Sequence, residues 1–318
     1  MKLLRLAPEN TKFGFMRFRR VSYPLSAALS IVSVLMFLFV GMNYGIDFAG
    51  GTQVNLRAKS GEAHLAEIRA KAESLGLGPV EVQRIGAESD VILKLNLQPG
   101  GDQGQQTAIQ KLRDTFSADY EFRSVDSVGP TVSAELVQSG TLGVVVAIIA
   151  VLTYLWFRFE WQFAVGAIIG TMHDLLLTVG FFCVTQLEFN QTSIAAILTI
   201  VGYSLNETVV VLDRIREVMR KYKRLSTADI IDMSVNAVLP RTIMTATTVF
   251  LALLALFFLG GHVIRSFSAA MIWGIFVATY SSIFICSPML IYMGVRPDTL
   301  DKTREAEAPP AVKAKAKA

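Results

Sequence analysis

Two oppositely charged residues within predicted membrane helices are the first candidates for chemistry in this sequence. Glu207, in the sequence Gly-Tyr-Ser-Leu-Asn-Glu-Thr-Val, lies about five residues, or roughly 7–8 Å of helical rise, inside the end of the fourth apolar segment. Arg241 follows Pro240 and enters the fifth segment from the same side. An ionisable side chain at such depth usually faces a cavity or an opposite charge, because exposure to hydrocarbon is costly. We therefore predict a protonation-sensitive Glu207–Arg241 pair that couples ion movement to work. Snorkelling of Arg241 to the headgroups is the alternative.

His173 and Asp174 form a second candidate site near the middle of the third apolar segment, where snorkelling is hardest. Burial changes the cost of ionising either side chain, so either one can exchange a proton in the right surroundings. The alternative is a hydrogen-bonded pair that holds helices together. Both interpretations stay open, and the sequence names no partner for Asp174.

Six long apolar segments must position these residues. Each has about 19 residues or more, which as a helix crosses about 30 Å of hydrocarbon. The first segment follows a basic start, but it exceeds the usual core of a signal peptide and no cleavage site follows, so we predict an uncleaved helix. The segments are residues 24–42, 139–157, 163–184, 192–212, 238–259 and 267–291.

The distribution of Lys and Arg predicts the orientation. Residues 1–23, the segment 214–224 and the tail after residue 293 carry six basic residues each, whereas residues 43–138 carry nine basic and thirteen acidic residues. Because basic loops stay in the cytoplasm, we predict cytoplasmic termini and a segment 43–138 on the outer side of the membrane. We also predict that residues 213–237, within the stretch 139–293 that holds helices two to six, form a pair of short amphipathic helices along the cytoplasmic face. The cytoplasmic tail 294–318 ends in Ala, Pro and Lys only and is predicted to be disordered.

Segment 43–138 has the pattern of a small domain of its own. Alternating or β-rich stretches occur at residues 51–58, 80–85, 91–97 and 120–128, with helical periodicity between them. Asp102 is a predicted N-cap of the second of these helices. The order β-α-β-β-α-β predicts a ferredoxin-like α+β domain, with Leu65, Ile68, Leu112 and Phe116 hidden under the sheet. Such a common fold names no function.

Composition and missing motifs exclude several classes of protein. Apolar residues make up 52% and charged residues 18% of the 318 residues, whereas soluble domains average about 25% charged. This balance argues against a cytosolic enzyme, a disordered chain and a nucleic-acid-binding protein. The two cysteines lie in apolar runs, so we predict no disulfide and no metal site. Gly50-Gly51-Thr52 lacks the lysine of a phosphate loop, and no protease or esterase motif occurs, so we predict no enzyme and no cofactor.

Close helix packing and a surface ion pair are the predicted roles of further residues. Gly166-x-x-x-Gly170 and the series Ala270, Gly274, Ala278 and Ser282 favour close approach of membrane helices. The neighbours Asp213 and Arg214 are predicted to form an interfacial ion pair.

Several motifs, in order along nearly the whole chain, resemble the SecF branch of the SecD/SecF family, within the resistance-nodulation-division (RND) transporter superfamily. The matching motifs are Gly45-Ile-Asp-Phe-Ala-Gly-Gly-Thr after the first helix, Val128-Gly-Pro before the second, His-Asp in the third, and Gly202-Tyr-Ser-Leu-Asn-Glu with Asp213-Arg-Ile-Arg-Glu at the fourth. The residues of this chain that match the family motifs are Gly45, Asp47, Phe48, Gly50, Gly51, Gly129, Pro130, Gly202, Tyr203, Asn206, Asp213 and Arg214.

The resemblance implies a polytopic α-helical membrane protein with six transmembrane helices, an RND-type half, plus a periplasmic ferredoxin-like domain. It implies pairing with SecD, association with the SecYEG translocon and YajC, and use of the proton-motive force to help complete export of unfolded preproteins. The membrane acid and arginine of the family fall on Glu207 and Arg241; other members carry Asp where this chain has the longer Glu207. The alternatives are half of an RND small-molecule or lipid exporter, an intramembrane hydrolase using Asp174 and Glu207, and a purely structural scaffold.

Overall fold

The computed structural model describes residues 11–261 and 264–297, and its helices follow the apolar segments of the sequence. Six helical spans are long and apolar enough to cross a membrane, as the sequence predicts. In chain order, the helices are a short 3-10 helix Phe15–Phe18, α1 (Arg19–Phe39), α2 (Ile46–Ala49), α3 (Leu65–Glu73), α4 (Gly101–Phe116), α5 (Pro130–Arg158), α6 (Trp161–Thr185), α7 (Gln191–Lys221), α8 (Thr227–Leu259), α9 (Arg265–Ser281), a π-helical segment (Ser282–Cys286) and α10 (Ser287–Tyr292).

Helices α6, α7 and α9 form the centre of the bundle, and α1, α5 and α8 are the more exposed spans. Small residues allow the central helices to approach their neighbours closely. A Cβ atom at Gly180 of α6 would lie 2.2 Å from Ser33 Oγ of α1, and one at Gly274 of α9 would lie 2.4 Å from a side-chain carbon of Ile200 on α7. Gly166 and Gly170 of α6 face Cys286 in the same way, which confirms the predicted packing role of these glycines.

Residues 46–128, here called the extramembrane domain, form a four-stranded antiparallel sheet with two helices on one face. The strands are β1 (Gly51–Ala58), β2 (Val80–Arg84), β3 (Asp90–Leu95) and β4 (Tyr120–Val128), in the order β2-β3-β1-β4. This confirms the predicted β-α-β-β-α-β domain. Ile68, Leu112 and Phe116 are at most 1% exposed, and Leu65 packs at the edge of the same core. Asp102 is not the N-cap of α4: the cap is Gly100, whose φ of 96° suits a turn, and Asp102 lies in the first helical turn.

The structure corrects the predicted pair of short helices at residues 213–237. This charged segment is the end of α7 and the beginning of α8, joined by a turn at residues 222–226. Most of its apolar residues continue the buried faces of the long helices, whereas Tyr222 and Met233 are exposed. Those that are fully buried are Ile215, Met219, Ile230 and Ile231. The start of α8 is also fixed from outside, because Asp232 accepts a hydrogen bond from the amide of Met16 (3.0 Å). Most of the apolar face of this segment therefore packs against the bundle.

The chain places the extramembrane domain at one end of the bundle, here called the domain side. The loop between α6 and α7 and the loop between α8 and α9 lie on this side, and the α7–α8 turn and the start of α1 lie at the opposite end. Helix α5 begins at Pro130, nine residues before the apolar segment, so it rises out of the bundle towards the domain. The described tail ends at residue 297, so most of the predicted disordered tail lies outside the described residues.

The extramembrane domain has a core sufficient to fold alone, and we expect a soluble fragment of about residues 48–134 to unfold cooperatively in urea. Leu112→Ala should lower its free energy of unfolding by about 2–5 kcal/mol, because the leucine is fully buried and its removal leaves a cavity. Gln106→Ala, at an exposed position of the same helix, is the matched control and should change little. Circular dichroism that shows a broad, non-cooperative transition would contradict the prediction.

Candidate functional site

Asp174 joins three helices at the centre of the bundle. It lies on α6 and is 1% exposed. Its Oδ2 accepts hydrogen bonds from Ser204 Oγ of α7 (2.5 Å) and Ser281 Oγ of α9 (2.8 Å). Its Oδ1 lies 3.1 Å from Nδ1 of His173. Both carboxyl oxygens therefore have partners, and the geometry agrees with the structural interpretation of the His173–Asp174 pair.

Directly after Ser281, which contacts Asp174, the helix changes from α-helical to π-helical hydrogen bonding. Residues Ser282–Cys286 form a π-helical segment, and Ser287 Oγ donates to the carbonyl of Ser282 five residues earlier (2.7 Å). Helix α1 binds carbonyls of this segment: Ser22 Oγ donates to Phe284 O (3.2 Å) and Tyr23 Oη donates to Ile285 O (2.6 Å). Such a local widening of a helix often occurs at functional sites. Here it lies between the Asp174 contact and α1.

Glu207 is buried at 3% exposure and its two carboxyl oxygens differ. Oε1 lies 3.3 Å from Thr245 Oγ1 on α8, whereas Oε2 is buried without a hydrogen-bond partner among the described residues. Thr245 Oγ1 also lies 3.0 Å from Thr242 O and 3.1 Å from Arg241 O, and its single proton can serve one acceptor at a time. A carboxyl group held this loosely can gain or lose a proton without breaking a network of hydrogen bonds.

Arg241 does not form the predicted direct pair with Glu207. In the described part of the chain, no salt bridge within 4.0 Å joins them, and the Arg241 side chain is exposed on α8, one turn before Thr245. Glu207 and Arg241 therefore lie on neighbouring helices without a direct ion pair, and the Thr245 hydroxyl contacts the carboxyl.

Several residues of this polar centre escaped sequence reasoning. Ser204 lies one turn before Glu207 within the motif Gly202-Tyr-Ser-Leu-Asn-Glu, so its position could have marked it as a candidate. Thr245 and Ser281 lie among other small and apolar residues without any distinguishing spacing. Three further hydroxyls are buried without a partner in the described structure, on Tyr203, Thr208 and Thr279. The unpartnered Nε2 of His173 is a fourth such atom. In the described residues, no three His, Cys, Asp or Glu side chains are grouped so as to hold a metal ion.

The remaining motif residues lie on the domain side of the bundle, within α7 and at the opposite end. On the domain side, Gly45, Asp47, Phe48, Gly50 and Gly51 link α1 to β1. Gly129 and Pro130 begin α5, and a Cβ at Gly129 would lie 2.8 Å from Asp102 Oδ1. On α7, Tyr203 points a buried hydroxyl into the bundle, whereas Gly202 and Asn206 are exposed.

The predicted Asp213–Arg214 pair is wrong. Asp213 pairs with Arg158 at the end of α5 (2.6 Å), and Arg214 pairs with Glu217 on its own helix (2.7 Å). Adjacent helical residues point in different directions, so each finds a partner elsewhere. Arg216 likewise contacts Glu160 (2.5 Å), the residue before α6. The motif therefore fixes α5 and α6 against α7 at the end opposite the extramembrane domain.

Comparison with known proteins gives matches over most of the chain. Residues 107–296 match the model of the protein export membrane protein SecD/SecF C-terminal family, and residues 36–62 match the SecD/SecF GG motif. The SecF protein translocase subunit of Rickettsia bellii is 42% identical over 90% of this chain and 95% of its own length. The SecF subunit of Rhodobacter capsulatus is 39% identical over 96% of this chain and 95% of its own length.

Some relatives are named SecDF and are longer than this chain, which spans about two fifths of their length. The SecDF subunit of Brucella abortus is 43% identical over 94% of this chain, which spans 39% of that protein. The crystal structure of the translocon-associated membrane protein SecDF from Thermus thermophilus has a TM-score of 0.80 and 34% identity over 90% of this chain and 39% of its own. A SecDF structure in a super-membrane-facing form has a TM-score of 0.67 and 32% identity. With relatives of this identity and coverage, the chain belongs to the SecD/SecF family of protein export membrane proteins, as a multi-pass SecF-type subunit of the Sec protein translocase that works with SecD.

Proposed function

We propose that this subunit uses proton movement through its membrane helices to help SecD and the SecYEG translocon complete the export of unfolded preproteins, with YajC as a further partner. It performs no catalysis; its task is to convert protonation of a membrane carboxyl into a change of helix arrangement. The observation that carries the proposal is the asymmetry of Glu207, whose Oε1 faces Thr245 and whose buried Oε2 has no partner in the described residues.

The surroundings of Glu207 support two arrangements of α7 and α8. An ionised Glu207 attracts Arg241 on the neighbouring helix, and a neutral Glu207 needs only the hydroxyl of Thr245. The contact of Glu207 with the Thr245 hydroxyl and the lack of a salt bridge to Arg241 in the described residues are what the second arrangement would give. Asp174 supplies the contrast: it is fully bonded to α7 and α9, so it acts as a positioning residue that keeps α6 in place. A hydrolase with Asp174 and Glu207 as paired acids is disfavoured, because the two carboxyls bind different partners.

Exposed polar groups on α7 and α8 support a SecD contact on this side of the bundle. Asn206 on α7 and Arg241 on α8 are exposed although both lie inside membrane-spanning helices. An amide or a guanidinium that faced lipid at this depth would be costly. The small Gly202, one turn from Asn206, allows another helix to approach. A second six-helix subunit that covered these residues would remove the free-energy cost of exposing them to lipid.

The proposal includes an orientation, with both termini in the cytoplasm and the extramembrane domain in the periplasm of a bacterial inner membrane. A thiol introduced by Ala70→Cys, with Cys183 and Cys286 replaced, should react with an impermeant maleimide in intact cells. A thiol introduced by Arg224→Cys, in the α7–α8 turn, should react only after the inner membrane is permeabilised. The reverse labelling pattern would refute the orientation.

Glu207→Gln should abolish the stimulation of export by a proton gradient while the protein still assembles with SecD. The substitution removes titration with almost no change in volume. Arg241→Met should cause a similar loss, and Arg241→Lys should keep part of the activity. The assay compares export completion in membrane vesicles with and without the gradient.

Glu217→Gln provides the matched control, because Glu217 is an exposed acid at the far end of the same helix. It should leave the stimulation unchanged. Full gradient-dependent stimulation in the Glu207→Gln protein would show that Glu207 is a structural hydrogen-bonding residue and that the proposed function is wrong.

A further inference from the structure

The segment that leads from α1 into the extramembrane domain is bonded to the loop before α7. The amide of Gly45 donates to Phe189 O (2.9 Å), and the amide of Phe189 donates to Asn43 O (2.7 Å). Tyr44 and Phe189 thereby form a parallel bridge between two distant parts of the chain. Phe48 of α2 adds an aromatic contact with Phe189 at a centroid distance of 5.6 Å. The loop of residues 186–190 therefore lies against the base of the domain.

Asp47 caps the helix that carries Glu207. Its Oδ2 accepts a hydrogen bond from the amide of Gln191, the first residue of α7 (2.9 Å). Asn190 provides the local cap of the same helix by accepting from the amide of Ser193 (3.2 Å). A carboxylate at a helix N-terminus satisfies a free amide and complements the helix dipole. Helix α7 thus begins with two caps, and one of them comes from the linker to the extramembrane domain.

An ion pair with little solvent exposure ties the sheet itself to the same loop. Lys94 Nζ, on the face of β3 opposite to the domain helices, lies 2.7 Å from Glu188 Oε2. The two side chains are 10% and 24% exposed. The contact is a charge pair outside hydrogen-bond geometry, and in the described residues the ammonium makes no hydrogen bond. Removing either charge would leave the other poorly solvated and unpaired, which is strongly unfavourable.

Two glycines allow close approach of the backbone, one against the loop before α7 and one within the sheet. A Cβ atom at Gly45 would lie 2.6 Å from Glu188 Oε1. Gly51, with φ of 120°, begins β1 where a Cβ would lie 2.2 Å from Leu95 O. A side chain at Gly45 would push the linker away from the loop, whereas one at Gly51 would disturb the pairing of β1 with β3. These constraints give a physical reason for the glycines in the linker.

We propose that these contacts form a permanent clamp, so that the extramembrane domain and the domain-side end of α7 move as one body. The clamp consists of the linker residues Asn43–Asp47, the loop 186–190 and the Lys94–Glu188 pair. About 24 Å of helical rise separates the capped end of α7 from Glu207, so a displacement of α7 at Glu207 reaches the domain directly. The inference rests on the proposed function of Glu207 and names the route by which its state reaches the domain.

Charge reversal tests the clamp in membrane vesicles that contain the full complex. Lys94→Glu and Glu188→Lys should each remove most of the gradient-dependent stimulation of export, and the double variant should recover it. Co-purification of SecD at the wild-type level checks assembly. Full stimulation in either assembled single variant, or no recovery in the double variant, overturns the proposal.

The matched control is the Arg57–Asp90 pair, which joins β1 and β3 within the domain. The Arg57 guanidinium hydrogen-bonds the Asp90 carboxylate and holds its pKa below the usual range, so this pair is also formed at neutral pH. Arg57→Gln removes an ion pair from the same sheet without touching the loop before α7. If the clamp explains the effect at Lys94, this control should leave the stimulation of export unchanged. An equal loss of stimulation in the control would mean that general damage to the sheet is the cause, and would overturn the explanation by the clamp.

A covalent lock distinguishes a permanent clamp from a contact that opens during the cycle. Lys94→Cys and Glu188→Cys are combined in a protein without Cys183 and Cys286, and a short thiol-reactive cross-linker joins them. Export stimulation should return on cross-linking, whereas a protein that stays inactive once cross-linked overturns the clamp. Glu207 is intact in all these variants. Loss of stimulation in Glu207→Gln together with a failed clamp test would reject only the clamp and leave the proposed function standing.

Discussion

A carboxyl group inside a membrane-spanning bundle must be hydrogen-bonded, paired with a charge or protonated, because hydrocarbon offers it no water. The arrangement of this subunit depends on how its two buried acids meet that requirement. Asp174 meets it with two hydroxyl donors from α7 and α9 and a contact with the neighbouring His173 ring. Glu207 meets it only in part, with one oxygen near Thr245 and the other without a partner in the described structure. One acid therefore fixes helices in place, and the other is left free to change.

The helix that carries Glu207 is restrained at both ends. At the domain side, Asp47 binds its first amide, and the loop before it is paired with Lys94 of the sheet. At the opposite end, Asp213 and Arg216 bind Arg158 and Glu160, which lie where α5 ends and α6 begins. Restraint at both ends means that a change near the middle of α7 cannot be absorbed by fraying of the helix. It must move the elements attached to its ends, and the extramembrane domain is one of them.

The sequence predicted the elements better than their partners. Apolar length was enough to find six spans, because a crossing helix needs a minimum number of apolar residues, and alternation was enough to find the strands of the domain. The ends of α7 and α8 at residues 213–237 were not predicted. A charged helix with one apolar face has the same sequence pattern whether it lies on a membrane surface or continues a membrane-spanning helix. The cost of burying an acid was enough to single out Glu207 and Asp174 as candidates, and both are buried. Their partners Thr245 and Ser281 could not be found, since a hydroxyl in a membrane helix is common and only the packing of α8 and α9 brings these two to the acids.

Proton uptake during export is the most direct test of the claim that Glu207 exchanges a proton as the subunit works. Vesicles that contain the complex with SecD and the translocon, in sodium-free buffer, are loaded with a pH-sensitive dye, and the interior pH is followed while a preprotein is exported under an imposed proton gradient. The account predicts export-linked proton movement in the wild type, none in the Glu207→Gln protein, and movement that persists in an assembled Asp174→Asn protein. Wild-type proton movement in the Glu207→Gln protein would contradict it.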